Sequence, residues 1–406
     1  MLALALAPVA VPVRAEAPAW TPVDAATGRL SSVAELEALA TQFPDSGSVR
    51  LRLLNAYLEA EQPTEALREA VELVWRGHVF SARAQEMLMS LEPTELQRGT
   101  LDLQVVLATP LERSRVLATV PADVHLVESV WRDPRSGDLF VTSVVSRSLH
   151  VRRGEGGWQR IPIDGAGSLS GMAFDAAAGL LWISSGVFDQ TPNPATAFRG
   201  VIAIDPATGE EKRRLAAPEG GSPSDLAVAA DGTLYASDPF SGAIYVGRTS
   251  GLGILVAPGQ LRSPQGIVAL PGSSRIVVSD YAYGLALIDA GTGAVRRLAT
   301  ETPLRLDGID GLWLHGDALV GVHNGSRPMA IVELLLSPDH TRVVAGFNRE
   351  RAHSEWTEPV GGSLFADELV YVATGQWDRF TDGGAPSAER PPVPTEIRVL
   401  ELPLVE

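Results

Sequence analysis

The chain has 406 residues, with 33 basic side chains against 49 acidic ones, a formal charge of −16. That surplus disfavours nucleic acid and anionic membrane surfaces as partners, and the absence of cysteine excludes disulfides, thiolate nucleophiles and Cys-ligated zinc. A composition of 45% hydrophobic and 20% charged residues is ordinary for a folded protein, and the length leaves room for two domains or one large β domain with an appendage.

Residues 1–20, MLALALAPVAVPVRAEAPAW, read either as a secretory signal ending at Ala15-Glu16-Ala17 or as an apolar disordered segment without the usual basic start. The first reading places the protein in the periplasm or outside the cell, the second leaves it cytoplasmic. No later stretch approaches the ~20 uninterrupted apolar residues of a membrane span.

Residues 21–105 are expected to be a helical region, its apolar period running from about Ser32 to Leu91. Ser32 followed by Glu35 makes a capping box before VAELEALATQF, and Pro44 marks its end. VRLRLLNAYLEAEQ, PTEALREAVELVWRG and SARAQEMLMSL are further amphipathic stretches. The placement of Asn55-Ala56-Tyr57 and Ala66-Leu67 resembles a tetratricopeptide helix pair. One unit falls short of the roughly three that make an independent stack, so the alternative is a helical cap docked against the larger domain.

Residues 106–406 change to the period of strands. Six windows, including HLVESVWRDPRSGDLFVTSV, PSDLAVAADGTLYASDP, PQGIVALPGSSRIVVSDY and IDGLWLHGDALVGVHNG, each hold an apolar hairpin followed by further strand-like runs. Aligned, they place Glu128, Ser170, Ser224, Gln265, Asp310 and Gly361 in correspondence at intervals of 41 to 54 residues. This is the pattern of propeller blades, and the fold expected is a six-bladed β-propeller preceded by a small α-helical region. The last window lacks a fourth strand. Ser114 to Val120 is an orphan strand that would complete it, so that both parts of the chain share one sheet and no edge is left open. SGVFDQTPNPATAFRG and TGQWDRFTDGGAPSAERPPVPTE are insertions between second and third strands.

In a blade the inner strand starts at one face of the disc and the second strand returns to it. Asp310 therefore meets His323 and Asn324 at the axial mouth, along with Glu128, Ser224, Asp225, Gln265, Asp238 and Asp280. Oxygen donors crowded there suit a hard divalent cation such as calcium, which takes ~6 to 8 oxygen ligands. Glu128 and Asp310 would neutralise it, and Gln265 and Asn324 would add carbonyl oxygens. The chemistry implied is metal-assisted hydrolysis of a lactone or related ester, with Asp310 or His323 as proton acceptor. Asp238 and Asp280 read as turn-forming groups. Trp131, Phe174, Tyr235 and Trp313 read as inter-blade packing, and Trp377 and Phe380 as a wall over the mouth.

LVESVWRDPRSGDLFV, SPSDLAVAADGTLYASD, SPQGIVAL and IDGLWLHGDALVGVHNG resemble the regucalcin and gluconolactonase (senescence marker protein) family of six-bladed propellers, and more remotely the paraoxonases. The resemblance spans most of residues 120 to 403. It implies an axial divalent metal held by Glu128 and Asp310, with Asp310 also the catalytic base. The family's two asparagine ligands are replaced here by Ser224 and Gln265, the first with too short an arm and the second with one carbon more. The rival function is a non-catalytic propeller that binds a ligand or protein, with the helical region as adaptor.

Overall fold

The computed structural model describes residues 18–21, 29–248 and 250–403. The secretory-segment reading of Ala15-Glu16-Ala17 therefore lies outside the described residues. None of the helices described is long and apolar enough to cross a membrane.

Six sheets form the propeller. Their inner strands are Val127–Arg132, Ser168–Asp175, Asp225–Val228, Pro264–Ala269, Leu312–His315 and Gly362–Phe365, and each pairs antiparallel with the strand that follows it. The fifth sheet gains an extra strand, Ala299–Thr300, which runs parallel to Arg342–Arg351. Ring closure is as the orphan strand requires: Arg115–Val120 pairs antiparallel with Thr395–Glu401, with Val120 opposite Thr395. Beside this seam the buried Glu350 carboxylate accepts from Arg113 N, Ser114 N, Ser114 Oγ and Tyr371 Oη at 2.8–2.9 Å. A buried acid with that many donors holds the closing strand to the fifth and sixth blades at no unpaired cost.

Four of the helices match the amphipathic stretches: Val33–Gln42, Gly47–Glu59, Pro63–Trp75 and Ala82–Ser90. Two short ones, Glu95–Asp102 and Gln104–Leu107, lie beyond those stretches and expose Leu96, Val105 and Val106. The helices form a cap that docks on the fourth and fifth blades. The Asp307 carboxylate, from the loop between those blades, accepts from Gly47 N at 2.7 Å and Ser48 N at 2.8 Å. It thereby satisfies the free amides of a helix start and meets the positive end of its dipole. At the same end of the helix pair, Arg305 donates to Arg76 O and Gly77 O, just beyond the helix Pro63–Trp75. The same cap also packs through aromatics: Phe43 stacks on Tyr283, with ring centroids 4.5 Å apart, and Trp20 meets Phe43 edge-on.

Both insertions leave from the same side of the disc. They touch each other through Gly383 N, which donates to Asp189 O at 2.7 Å. Phe188 from the first and Trp377 and Phe380 from the second pack with Leu126 and Val144 over the axial mouth.

Candidate functional site

Each inner strand begins close to its neighbour across the blade boundary. Gly171 N donates to Ser224 O at 2.8 Å, Gly266 N to Asp310 O at 2.7 Å, and Gly361 N to Glu128 O at 3.0 Å. Only glycine permits this approach at Gly266, where a Cβ would lie 2.6 Å from Asp310 O. These contacts bring Glu128, Ser170, Ser224, Gln265, Asp310 and Gly361, one residue from each blade, to a single axial cavity of about 30 Å³. Trp313 and Asp225 also line it. The sixth window is misaligned by one residue. Val360 N bonds Val372 O as Asp310 N bonds Val322 O, so Val360 is the structural counterpart of Asp310, and the sixth blade contributes no polar side chain at that position.

The Glu128 carboxylate accepts from Trp377 Nε1 at 2.8 Å. Asp310 Oδ2 accepts from Asn324 Nδ2 at 2.9 Å. Asn324 Nδ2 also donates to Pro359 O at 3.0 Å, and Asn324 Oδ1 accepts from Tyr281 Oη at 2.9 Å. Asn324 is thus a positioning residue for Asp310, and its carbonyl oxygen, expected to coordinate a metal, is already bonded. The Ser224 carbonyl is likewise committed, to Gly171 N, Ser170 Oγ and Ser184 Oγ. Its hydroxyl is the one donor atom that residue can still offer. Gln265 lines the cavity.

His323 does not reach this cavity. It lines a separate one of about 170 Å³ between the helical cap and the fifth blade, with Trp75, Arg305 and Ser326. Successive side chains of a strand point to opposite sides, so the residue beside Asn324 is turned away from the axis. Burial and the Arg305 guanidinium push its imidazole down to about 3, which leaves it neutral and remote from Asp310. As a proton acceptor for the axial site it is excluded by position.

Asp238 and Asp280 are turn-forming, as their setting implies. Asp238 accepts from Phe240 N, Ser241 N, Ser222 N and Tyr245 Oη, and Asp280 from Arg262 N and Ala282 N.

Four carboxyls in and beside the axial cavity have raised proton affinities. Burial, then Asp310 and Glu358, hold Glu128 well above the ordinary carboxylate range. Burial raises Asp225 to about 7. Burial and then Asp225 raise Asp310 to about 7. Burial, then Asp310 and Asp378, raise Glu358 to about 7. No basic side chain figures among the interactions that shift them. Glu358 and Tyr281 were missed from sequence. Glu358 lies on the loop before the sixth inner strand, where no periodicity marks it, and its one signal is an acidic residue three positions before Gly361.

No protein-family model and no curated protein matches the sequence. Among solved structures, a gluconolactonase from Xanthomonas campestris is 16% identical over 73% of this chain and 97% of its own, with a TM-score of 0.47. The PQQ-bound aldose sugar dehydrogenase of Streptomyces coelicolor is 14% identical over 72% and 100%, also at 0.47. A chain of a nidogen/laminin complex is 16% identical over 58% and 83%, at 0.44. Likenesses at this level carry no functional argument, and the site is read from its own residues.

Proposed function

We propose that the axial cavity holds a hard divalent cation, calcium by preference, and that this centre hydrolyses a lactone or related ester. The observation that carries the reading is the convergence of Glu128, Asp225 and Asp310 on one small cavity with raised proton affinities and no cation to offset them. Buried acids in that state are costly unless protonated or paired. The donor atoms fit the group. They are all oxygens, from Glu128, Asp310, Gln265, Ser224 and Asp225, which suits calcium and not a nitrogen- or sulfur-seeking metal. About 30 Å³ is room for one ion or a water or two. Among the described residues no three His, Asp or Glu side chains are gathered closely enough to hold a metal by themselves, so the neutral oxygens of Gln265 and Ser224 complete the set.

A cation bound there would polarise an ester carbonyl and lower the pKa of a bound water. Asp310, with its affinity near 7, is tuned to accept a proton near neutral pH. The Asn324 amide holds one of its oxygens in place. Trp377, bonded to Glu128, and Phe380 exclude bulk water from the mouth.

One observation favours the second reading, a non-catalytic propeller that binds a ligand or protein. The cavity as built is too small for a lactone ring, and Trp377 covers Glu128. A panel of lactones and aryl esters, assayed with calcium and with chelator, separates the two. Calcium-dependent hydrolysis that is lost in Glu128→Gln and Asp310→Asn supports the enzyme. Calcium binding with no turnover, in the parent and in Trp377→Ala, supports the binding module, for which the helical cap with its exposed Leu96, Val105 and Val106 is the adaptor.

A further inference from the structure

The inner strands continue past the axial mouth for three to four residues, roughly 10 Å at ~3.3 Å per residue. On the opposite face of the disc they open into a second cavity of about 400 Å³, to which all six blades contribute. Its wall is apolar, with Trp131, Phe174, Ala227, Ala269 and Phe365 around the ring and Trp313 at the bottom. Trp313 lines both cavities. Its indole lies across Gly311, where a Cβ would come within 2.4 Å of the ring. It is therefore the partition between a polar chamber and an apolar funnel, and the funnel is blind.

The charges at the rim are spent on each other. Arg132 pairs with Glu368 at 2.7 Å and Arg135 with Asp133 at 3.0 Å. The indoles are not spent. Trp20, Trp158, Trp356 and Trp377 each donate their N–H to an acceptor; Trp131 and Trp313, like Trp75 and Trp182 elsewhere, donate to none among the described residues. Trp131 is only 5% exposed, stacked on Phe174 with centroids 5.0 Å apart and tilted against Phe140. Neither N–H is among the sealed, unpartnered polar atoms, so each reaches solvent and is free to donate to a bound acceptor.

We infer that this funnel binds a neutral, largely apolar, planar molecule carrying one hydrogen-bond acceptor such as a ketone carbonyl, taken from solvent on the face opposite the axial mouth. The volume falls within the ~300–1,000 Å³ of small-molecule sites. A blind recess walled by six strands suits a small molecule better than a protein surface.

The test titrates the full-length protein with 2-acetonaphthone, naphthalene and 2-naphthoate, by calorimetry and by tryptophan fluorescence. Acetonaphthone is expected to bind saturably, naphthalene roughly three- to tenfold more weakly for want of one hydrogen bond, and naphthoate more weakly again. Ala269→Phe, which fills the funnel, abolishes binding, and Trp131→Phe brings acetonaphthone down to the level of naphthalene. Circular dichroism checks that both variants are folded. Absence of saturable binding by all three compounds, undiminished binding in Ala269→Phe, or tightest binding by naphthoate overturns the inference. If Ala269→Phe does not fold, Trp131→Phe decides: an unchanged gap between acetonaphthone and naphthalene refutes it.

Discussion

Calcium should stabilise the protein in a manner set by the protons it must displace. Asp310 titrates near 7 in the folded protein against an ordinary 3.8, so at pH 8 it is almost fully ionised and at pH 5 about 1% ionised. Displacing that proton alone weakens apparent calcium affinity roughly 100-fold between the two conditions, and Asp225, raised to about 7 as well, makes this a lower bound. Calcium at 100 times its dissociation constant at pH 8 contributes ~2.7 kcal/mol, and the same concentration at pH 5 is at or below the dissociation constant and contributes ~0.4 kcal/mol at most. An unfolding entropy of ~2.1 cal/mol/K per residue makes a chain of 406 residues shift by roughly 1.2 °C per kcal/mol. The expected rise in Tm is thus ~3 °C at pH 8 and under ~1 °C at pH 5, measured by scanning calorimetry with calcium against magnesium-free chelator. Equal shifts at both pH values, a larger shift at pH 5, or a full shift in Glu128→Gln would refute the reasoning.

Three further outcomes are expected. Asn324→Leu leaves Asp310 and Tyr281 without their shared partner and should cost about 1–3 kcal/mol in urea unfolding, with a slope unchanged from the parent. Gly266→Ala would place a Cβ against the backbone of Asp310 and Leu312 at 2.6 Å. Forcing two inner strands apart should cost about 1–3 kcal/mol and weaken calcium binding, whereas Gly316→Ala, at a turn with open space, should leave calcium binding intact. His315 lies between Glu333 at 3.0 Å and Asp367 at 3.1 Å. Burial opposes its protonation, but the two carboxylates prevail and its pKa is raised above 6.5. A raised folded-state pKa contributes stability that is fully present below the unfolded value and is lost as pH rises through the folded one. Tm should therefore fall above pH 6.5 in the parent, and His315→Gln should flatten that part of the profile.

The blade pattern was readable because a blade is a local object. Each hairpin pairs residues a few positions apart, so its alternation and turn chemistry are written in one short window, and aligning the windows was enough to bring the side chains of five blades to one cavity. Closure by Ser114 to Val120 was readable too, since a sheet short of one strand implies where an unpaired strand must go. The roles of individual residues at the mouth were less readable. His323 and Asn324 are neighbours, and a one-residue step along a strand reverses the direction of a side chain, so the two have opposite fates. Val360 displaced Gly361 from the sixth position because an apolar pair gives no mark of register. Glu358 joins the acidic group from a loop, which has no period to follow.

The amino-acid order determined the number of blades, the change from helical to strand period, and the end of each inner strand that carries acids, because these follow from hydrogen-bonding registers that span few residues. Only the tertiary structure decided which oxygens remain free, which carboxyls are forced together, and that Trp377 and Asn324 have taken up one atom each of Glu128 and Asp310. Burial and crowding among groups hundreds of residues apart set those properties, and neither is a property of any short stretch of chain.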